Sequence, residues 1–371
     1  MSDAVLSLAF SLVKAGNFDE AISLAKRLAS TQSRNAGVIH ALGGIYDLAH
    51  RFDDALRCFQ RAVKLAPHES AFRRDLAFAL LSRGQFRQGW AEHEWRHPDM
   101  SGPVPRWQGQ PIAGQSLLIR PEQGYGDCLL FLRYARLLAG QGVRVVLGTY
   151  PPLQRLLAEC PDMTVFVPGQ DVPQIDFWCP MGSLPYLCGT QRVDQIPPAP
   201  YLPIVDARIG QWRDKLEEKL GKQPGIRVGL AWAGSPAFAG DAERSPGFDP
   251  MRLLLDVPGC SFVGLQVGPR SGEAAAQVLD ITADLGDFAD TAAVMCGLDL
   301  VISSDTSTAN LAGALGVPVW VALSWMPDWR WMHDRSDCPW YGSARLYRQT
   351  RPGDWASVFD AIAVDLTALS G

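Results

Sequence analysis

Phe18, Phe52 and Phe86 stand 34 residues apart, and so do Ala21, Ala55 and Gly89. A fixed period of this length constrains the chain more than any other feature. Each copy must be one supersecondary unit that cannot bury its apolar face alone and stacks on its neighbour. The middle copy shows how. Ile39, Leu42, Gly43 and Tyr46 share one helical stripe, Ala55, Phe59 and Ala62 share a second, and Pro67 closes the unit. Large residues facing small ones at helical spacing predict a helix pair per repeat.

A 34-residue period with these residue types is the tetratricopeptide (TPR) pattern. Residues 1–98 read as three such helix pairs. The outer copies are atypical: Val5 and Arg73 stand where the repeat often has Trp, and His93 where it has Phe. Terminal copies deviate because one face has no neighbour to cover it, and three repeats are about the minimum for a stable stack. The array is therefore expected to be fused to the rest of the chain, to offer a protein or peptide partner a surface, and to leave open pairing with a second copy as a homodimer.

At 371 residues the chain exceeds one core, which stops growing near about 250–300 residues. Its hydrophobic fraction of 47% and charged fraction of 20% are those of a globular protein. A net charge of -5 argues against nucleic acid as a partner. None of the 8 cysteines forms a C-x-x-C pair, so reduced, buried thiols are expected. No basic run precedes the first apolar stretch, which carries Asp3. The uncharged apolar stretch Leu311 to Met326 is broken by Gly313, Gly316 and Pro318, so no membrane span is expected. Together these point to the cytoplasm.

Beyond the repeats the pattern changes. Residues 99–115, with Pro103, Pro105 and Pro111, read as a linker. In 116–205, strands at Ser116–Arg120, Val143–Gly148, Thr164–Val167 and Ile175–Trp178 alternate with helices at Cys128–Leu138 and after Pro151. Pro197, Pro198, Pro200 and Pro203 mark a second boundary. The alternation restarts in 224–350, with strands at Ile226–Trp232, Ser261–Gln266, Leu298–Ser303 and Val317–Leu323 and helices at Glu273–Leu279 and Phe288–Cys296. Residues 353–371 read as a helix over Trp355–Leu369. Alternating strands and helices imply parallel sheets. The expected fold class is thus helical repeats followed by two Rossmann-like α/β halves with a cleft between them, with ligands beyond the carboxyl ends of the strands.

Four segments carry candidate chemistry. Glu122, Gln123, Gly124, Gly126 and Asp127 lie between a strand and a helix. The turn is either a tight connection with Asp127 capping the helix, or a cleft wall with Asp127 as general base. It is not a dinucleotide fingerprint, since Leu129 stands where G-x-G-x-x-G needs its third glycine, which speaks against a dehydrogenase. Ser303 to Thr308, containing Asp305, Thr306 and Ser307, opens a helix and offers hydroxyls and free N–H groups to an anion, or simply caps the helix. Ser235, Arg244 and Ser245 follow the first strand of the second half, as a phosphate contact or a solvated loop. Trp329 and Trp331 follow its last strong strand, either to stack on a sugar or base or to pack domains together. No His/Cys cluster has metal spacing, and no G-x-S-x-G elbow occurs.

Taken together and in order, Glu122–Asp127, Gly229–Gly234, Gly264–Gln266, Asp287–Thr291, Asp305 and Thr306 with Leu311–Ala314, and Pro327–Trp331 resemble the heptosyltransferase-type (family 9) glycosyltransferases fused to TPR repeats, and more distantly the protein O-linked N-acetylglucosamine transferases. The resemblance implies the two-Rossmann GT-B fold, with an acceptor against the first half and a nucleotide-sugar donor against the second. It implies Asp127 as base, with Asp305, Thr306 and Ser307 as the donor-phosphate loop, flanked by Gln266 and Asn310. The nucleotide-sugar is a substrate, and neither cofactor nor metal is implied. The chain also departs from the family: Phe238 stands near a usual His, Val267 at a usual Lys and Asn310 at a usual His. Phe and Val neither donate a hydrogen bond nor carry charge, so these departures also imply a second reading, a catalytically degenerate scaffold that binds a partner protein, unless Arg244 and Arg270 compensate.

Overall fold

A computed structural model describes residues 2–97, 100–102, 104–221 and 225–371. Pro103 of the expected linker, the repeat boundary at 98–99 and the start of the second half at 224 lie outside the described residues. The chain divides into two compact units. One comprises Met1–Ser101 with Thr190–Gln195 and Asp328–His333; the other comprises Gly102–Gly189, Ile196–Pro327 and Asp334–Gly371.

The first unit is the repeat array. Its helices are α1 (Ser2–Lys14), α2 (Phe18–Thr31), α3 (Ala36–Leu48), α4 (Phe52–Leu65), α5 (Ser70–Leu81) and α6 (Phe86–His93). The second helix of each pair starts on one of the phenylalanines spaced by 34. The turn before it needs a left-handed residue, and the period supplies one each time: Gly16, His50 and Gly84. Glycine also sets how closely paired helices approach. A Cβ on Gly43 would lie 2.8 Å from the Phe59 ring, and one on Gly89 would lie 2.7 Å from Leu81 Cδ2. Ala21, Ala55 and Ala62 are fully buried beside Ile39, Leu42, Tyr46 and Phe59. Two segments distant in sequence complete this unit. His333 stacks on Phe52 at 3.6 Å, Trp329 meets Trp90 edge-on at 5.4 Å, and the His333 N–H donates to Ser82 O.

The second unit holds two parallel sheets. In the first half, β1 (Ser116–Arg120), α7 (Tyr125–Gly140), β2 (Arg144–Gly148), α8 (Pro151–Leu157), β3 (Met163–Phe166), β4 (Phe177–Pro180) and the single turn α9 (Leu184–Leu187) form a sheet of order β3-β2-β1-β4. The second half contains α10 (Asp206–Leu220), β5 (Ile226–Ala231), the short α11 (Asp241–Arg244), β6 (Cys260–Gly264), β7 (Val278–Asp280), α12 (Phe288–Met295), β8 (Leu300–Ser304), α13 (Ser307–Leu315), β9 (Val319–Leu323), β10 (Ala344–Arg348) and α14 (Trp355–Ser370). Its sheet runs β10-β9-β8-β5-β6-β7. β1 enters the middle of the first sheet and β5 the middle of the second, so their apolar stretches Leu117–Ile119 and Val228–Ala231 are buried.

The expected helix at 273–279 is absent. Its Ala-rich segment makes a single 3₁₀ turn at Ser271–Glu273 and then pairs Val278 with Phe262 as edge strand β7. Tertiary pairing overrides helix propensity there, because Ala274 and Ala275 pack on the core beside β6. All eight cysteines are free. No helix among the described residues is long and apolar enough to cross a membrane.

The two halves are joined around one buried cation. Arg133 of α7, 2% exposed, donates to the carbonyls of Leu130, Pro197 and Trp340 and to the Tyr201 hydroxyl, and lies over the rings of Tyr201 and Tyr341. Tyr201, in the segment that crosses between the halves, donates its hydroxyl to Leu129 O and its N–H to Ala314 O.

Within the repeats, burial and the charge of Asp75 push the Asp47 carboxyl up to about 6. The folded chain therefore holds this proton more tightly than the unfolded chain, and the group's contribution falls as pH rises toward 6. Asp47→Asn should raise stability at pH 7.5 by up to about 3 kcal/mol, with the gain shrinking on acidification toward pH 4. Urea unfolding of both proteins across this range checks it.

Candidate functional site

The site is built from the carboxyl end of β1 outward. Glu122 is buried, and its Oε1 accepts the Gly182 N–H at 2.6 Å, fastening the turn to the segment after β4. Gln123 takes the left-handed conformation at φ 62, where a side chain is unfavourable, and the Tyr150 hydroxyl holds its carbonyl at 2.7 Å. Gly124 then begins α7. Asp127 Oδ2 accepts the Gly124 N–H at 2.9 Å, so the carboxylate does cap the helix. A carboxylate has about four acceptor positions. Asp127 is only half-buried.

The second-half loop lies at the end of β8. Ser303 Oγ donates to Ser304 O at 2.8 Å and lies 3.3 Å from Thr306 Oγ1. Asp305 and Thr306 are buried while Ser307 is half-buried. Thr306 occupies the position before α13, yet its side chain makes no capping bond. The first N–H groups of α13 therefore lack the usual side-chain acceptor from Thr306. Ser304 Oγ, and Thr149 Oγ1 at the end of β2, are buried hydroxyls without a hydrogen-bond partner. Each is costly unless something else satisfies it.

These two loops converge. A Cβ on Gly126 would lie 3.0 Å from Asn310 Nδ2 and 3.8 Å from Ser307 Cα. The amino ends of α7 and α13, each carrying roughly half a positive charge, meet at the junction of the halves, with Asp127 on one of them. Asn310 is buried and engaged at both ends of its amide: Nδ2 donates to Thr306 O at 3.0 Å and Oδ1 accepts from the Tyr341 hydroxyl at 3.0 Å. Its carboxamide shapes the loop instead of standing ready as a ligand contact.

Most of the other residues expected on the donor side are likewise bonded within the protein. Gln266 Oε1 accepts the N–H groups of Trp232 and Ala233 at 3.0 and 2.8 Å. Ser245 Oγ accepts the Gly234 N–H at 2.9 Å. Arg244 pairs with Asp241 at 3.2 Å and lies over the Phe238 ring, while Arg270 pairs with Glu273 at 2.5 Å. The hydrogen bond between them holds the Arg270 guanidinium above and the Glu273 carboxyl below their ordinary ranges. Ser235 is exposed, and so are Phe238 and Val267, at 54% and 57%. No group of three or more His, Cys, Asp or Glu among the described residues is placed to hold a metal ion.

One pair of expectations is corrected. Trp329 and Trp331, expected to line the acceptor side, are 6% and 1% exposed and belong to the repeat unit, where Trp329 packs against Trp90. No open ring face is left for a sugar. Conversely, the sequence reading missed Arg133, Arg155 and Tyr150, and gave Phe288 no role beyond its place in the stretch Asp287–Thr291. Arg133 carried a usable signal, a lone charge in the apolar run Cys128–Ala135. The Phe288 ring meets Tyr125 at 5.3 Å, and Tyr125 also meets Tyr150 at 5.5 Å.

No protein-family profile matches the chain. It is 29% identical to Protein FlbA of Caulobacter vibrioides over an alignment of 391 residues, covering 94% of this chain and 63% of that protein. The chain thus spans less than two thirds of that relative's length. Its fold is similar to the glycosyl transferase family 9 structure from Veillonella parvula DSM 2008, with a TM-score of 0.52 and 11% identity over 70% of this chain and 99% of that one. The ADP-heptose lps heptosyltransferase II of E. coli aligns with a TM-score of 0.45 and 11% identity over 69% of this chain and 98% of that one.

The contact between Gly126 and Asn310 makes a testable pair. Gly126→Val should cost about 1–3 kcal/mol by overpacking, and part of that loss should disappear when Asn310→Ala is added. A double-mutant cycle in chemical denaturation is expected to give a favourable coupling of about 1 kcal/mol.

Proposed function

We propose that the chain is a glycosyltransferase of the GT-B type that moves a sugar from a nucleotide-sugar donor to a protein or other acceptor, without a bound metal. The observation that carries this reading is the meeting of the α7 amino end, which bears Asp127, with the amino end of α13, left uncapped by Thr306, in a fold like that of a family 9 glycosyl transferase. An acceptor hydroxyl attacks the anomeric carbon, and the Asp127 carboxylate takes its proton. The bond to the diphosphate oxygen breaks, and its electron pair leaves with the nucleoside diphosphate. The N–H groups of α13 and the hydroxyls of Thr306 and Ser307 meet that charge. The repeats present or recruit a protein partner, the role their helical stack fits.

A second reading is supported by the donor-side side chains. Arg244 and Arg270 are each neutralised by a carboxylate three residues away, and Phe238 and Val267 expose apolar surface. A diphosphate would then have backbone N–H groups but neither of these two guanidinium groups. In that case the fold serves as a scaffold for a protein partner.

Titration calorimetry with UDP, ADP, GDP and CMP separates the two. One nucleotide should bind, and binding should be lost in Asp305→Ala/Thr306→Ala with the fold intact by circular dichroism. No binding by any of the four would favour the scaffold. With the sugar-nucleotide of the bound base, Asp127→Asn should lower transfer by at least about 10²-fold while leaving nucleotide affinity within about twofold, and chelator should not alter transfer.

A further inference from the structure

The contacts joining the two α/β halves differ in kind. Those at the crossing segment centre on buried groups. Arg133 is buried among carbonyls and rings, Tyr201 bonds to both α7 and α13, and Arg136 donates to Tyr201 O at 2.7 Å. Nearby, Glu159 accepts the Val205 N–H and pairs with Arg208, both carboxylate and guanidinium being largely covered. A further polar bridge avoids the crossing segment. Arg155 of α8 donates through Nε and Nη2 to the two oxygens of Asp287, at 2.8 and 2.7 Å, and through Nη2 to Asp290 Oδ2 at 2.5 Å. The Arg155 side chain is 45% exposed.

Both carboxylates are also fixed within their own half. Asp287 caps α12 through the Ala289 N–H, and Asp290 accepts the Gly286 N–H while the Trp212 indole N–H reaches its other oxygen. Burial works against the Asp290 charge, but the bonds from Gly286 and Arg155 outweigh it and hold its carboxyl below the ordinary range. The pair is therefore a preset receptor for one guanidinium. The residue after Asp287 is Phe288, whose ring touches Tyr125 on the turn that carries Asp127. The bridge thus lies beside the place where the amino ends of α7 and α13 meet.

We propose that Arg155, Asp287 and Asp290 form a clasp that holds the two halves closed at the cleft, that the buried contacts of Arg133 and Tyr201 act as the pivot, and that ligand entry requires the clasp to release. Exposed, polar and salt-accessible contacts open before buried ones. A planar fork gripping two carboxylates is stronger than a single exposed pair, yet it can still be broken by water and ions. The proposal concerns how the halves move and stands whether or not the cleft transfers a sugar.

Hydrogen exchange of the full chain tests it. The amides to follow are the hydrogen-bonded ones at the cleft that do not touch the clasp, Gly124, Cys128 and Asn310, with those of β5 and β8 as controls. Arg155→Ala is expected to speed exchange at the three cleft amides by roughly two- to fivefold, the upper part of the range for an exposed pair, and Arg155→Lys by less. Wild-type chain in 1 M sodium chloride should shift the same amides, with the controls unchanged. Unchanged exchange at Gly124, Cys128 and Asn310 in Arg155→Ala, with faster exchange confined to Gly286–Ala289, would overturn the proposal and leave Arg155 as a local cap of α12.

Discussion

The geometry of the α/β unit rests on one buried guanidinium. Taking Arg133 out of water costs several kcal/mol, and its hydrogen bonds go to neutral groups, not to a carboxylate. The cost is offset by acceptors at three carbonyls and a hydroxyl, and by the faces of Tyr201 and Tyr341. A lysine could not span these groups, since they lie around a plane that only the five donors of a guanidinium match. α7 carries Asp127 near its start and Arg133 two turns on, while Tyr341 reaches from beside Arg133 to Asn310 at the first turn of α13. The separation of the candidate base from the candidate phosphate loop is therefore set by an arginine that faces neither.

The second half balances its charges locally. Arg244 with Asp241, Arg252 with Asp249 and Arg270 with Glu273 are each three residues apart. Such pairs keep the loops beyond β5 and β6 near neutral, so any anion bound there must be met mainly by the backbone. A helix amino end provides such a site at fixed geometry, and its N–H groups cannot be lost by exchanging one side chain. This is why Phe238 and Val267 leave the α13 loop untouched, and why both functional readings persist at the level of chemistry.

Much of the architecture could be read in the residues because its signals were periodic. The spacing of 34 located three helix pairs, and apolar runs bounded by Gly and Pro located β1, β2, β5, β8 and β9. What escaped had weak or misleading local patterns. β10 alternates arginines with apolar residues, as an edge strand does, and β7 lies in an alanine-rich segment that favours helix in isolation. Trp329 and Trp331 left open both a ligand platform and domain packing, because an aromatic cluster after a strand has the same spelling whether it is covered or open. Asn310, Gln266 and Ser245 could be named as polar residues of the site, but the groups they bond to, such as the Tyr341 hydroxyl and the Trp232 N–H, stand well away in sequence, which no motif encodes.

The repeat unit is not one stretch of sequence. Phe52 receives His333, and Trp90 receives Trp329, across well over two hundred residues of intervening chain. During synthesis the three helix pairs emerge long before the rings that finish their packing. Until then Phe52 and Trp90 present aromatic surface to whatever is nearby, and loop closure of that length is entropically slow to complete. A chain cut after the repeats would keep its periodic core yet lack part of its own skin. Such a fragment should be judged as an unfinished unit, sticky where the whole chain is not, and pull-downs made with it would report that stickiness along with any true partner.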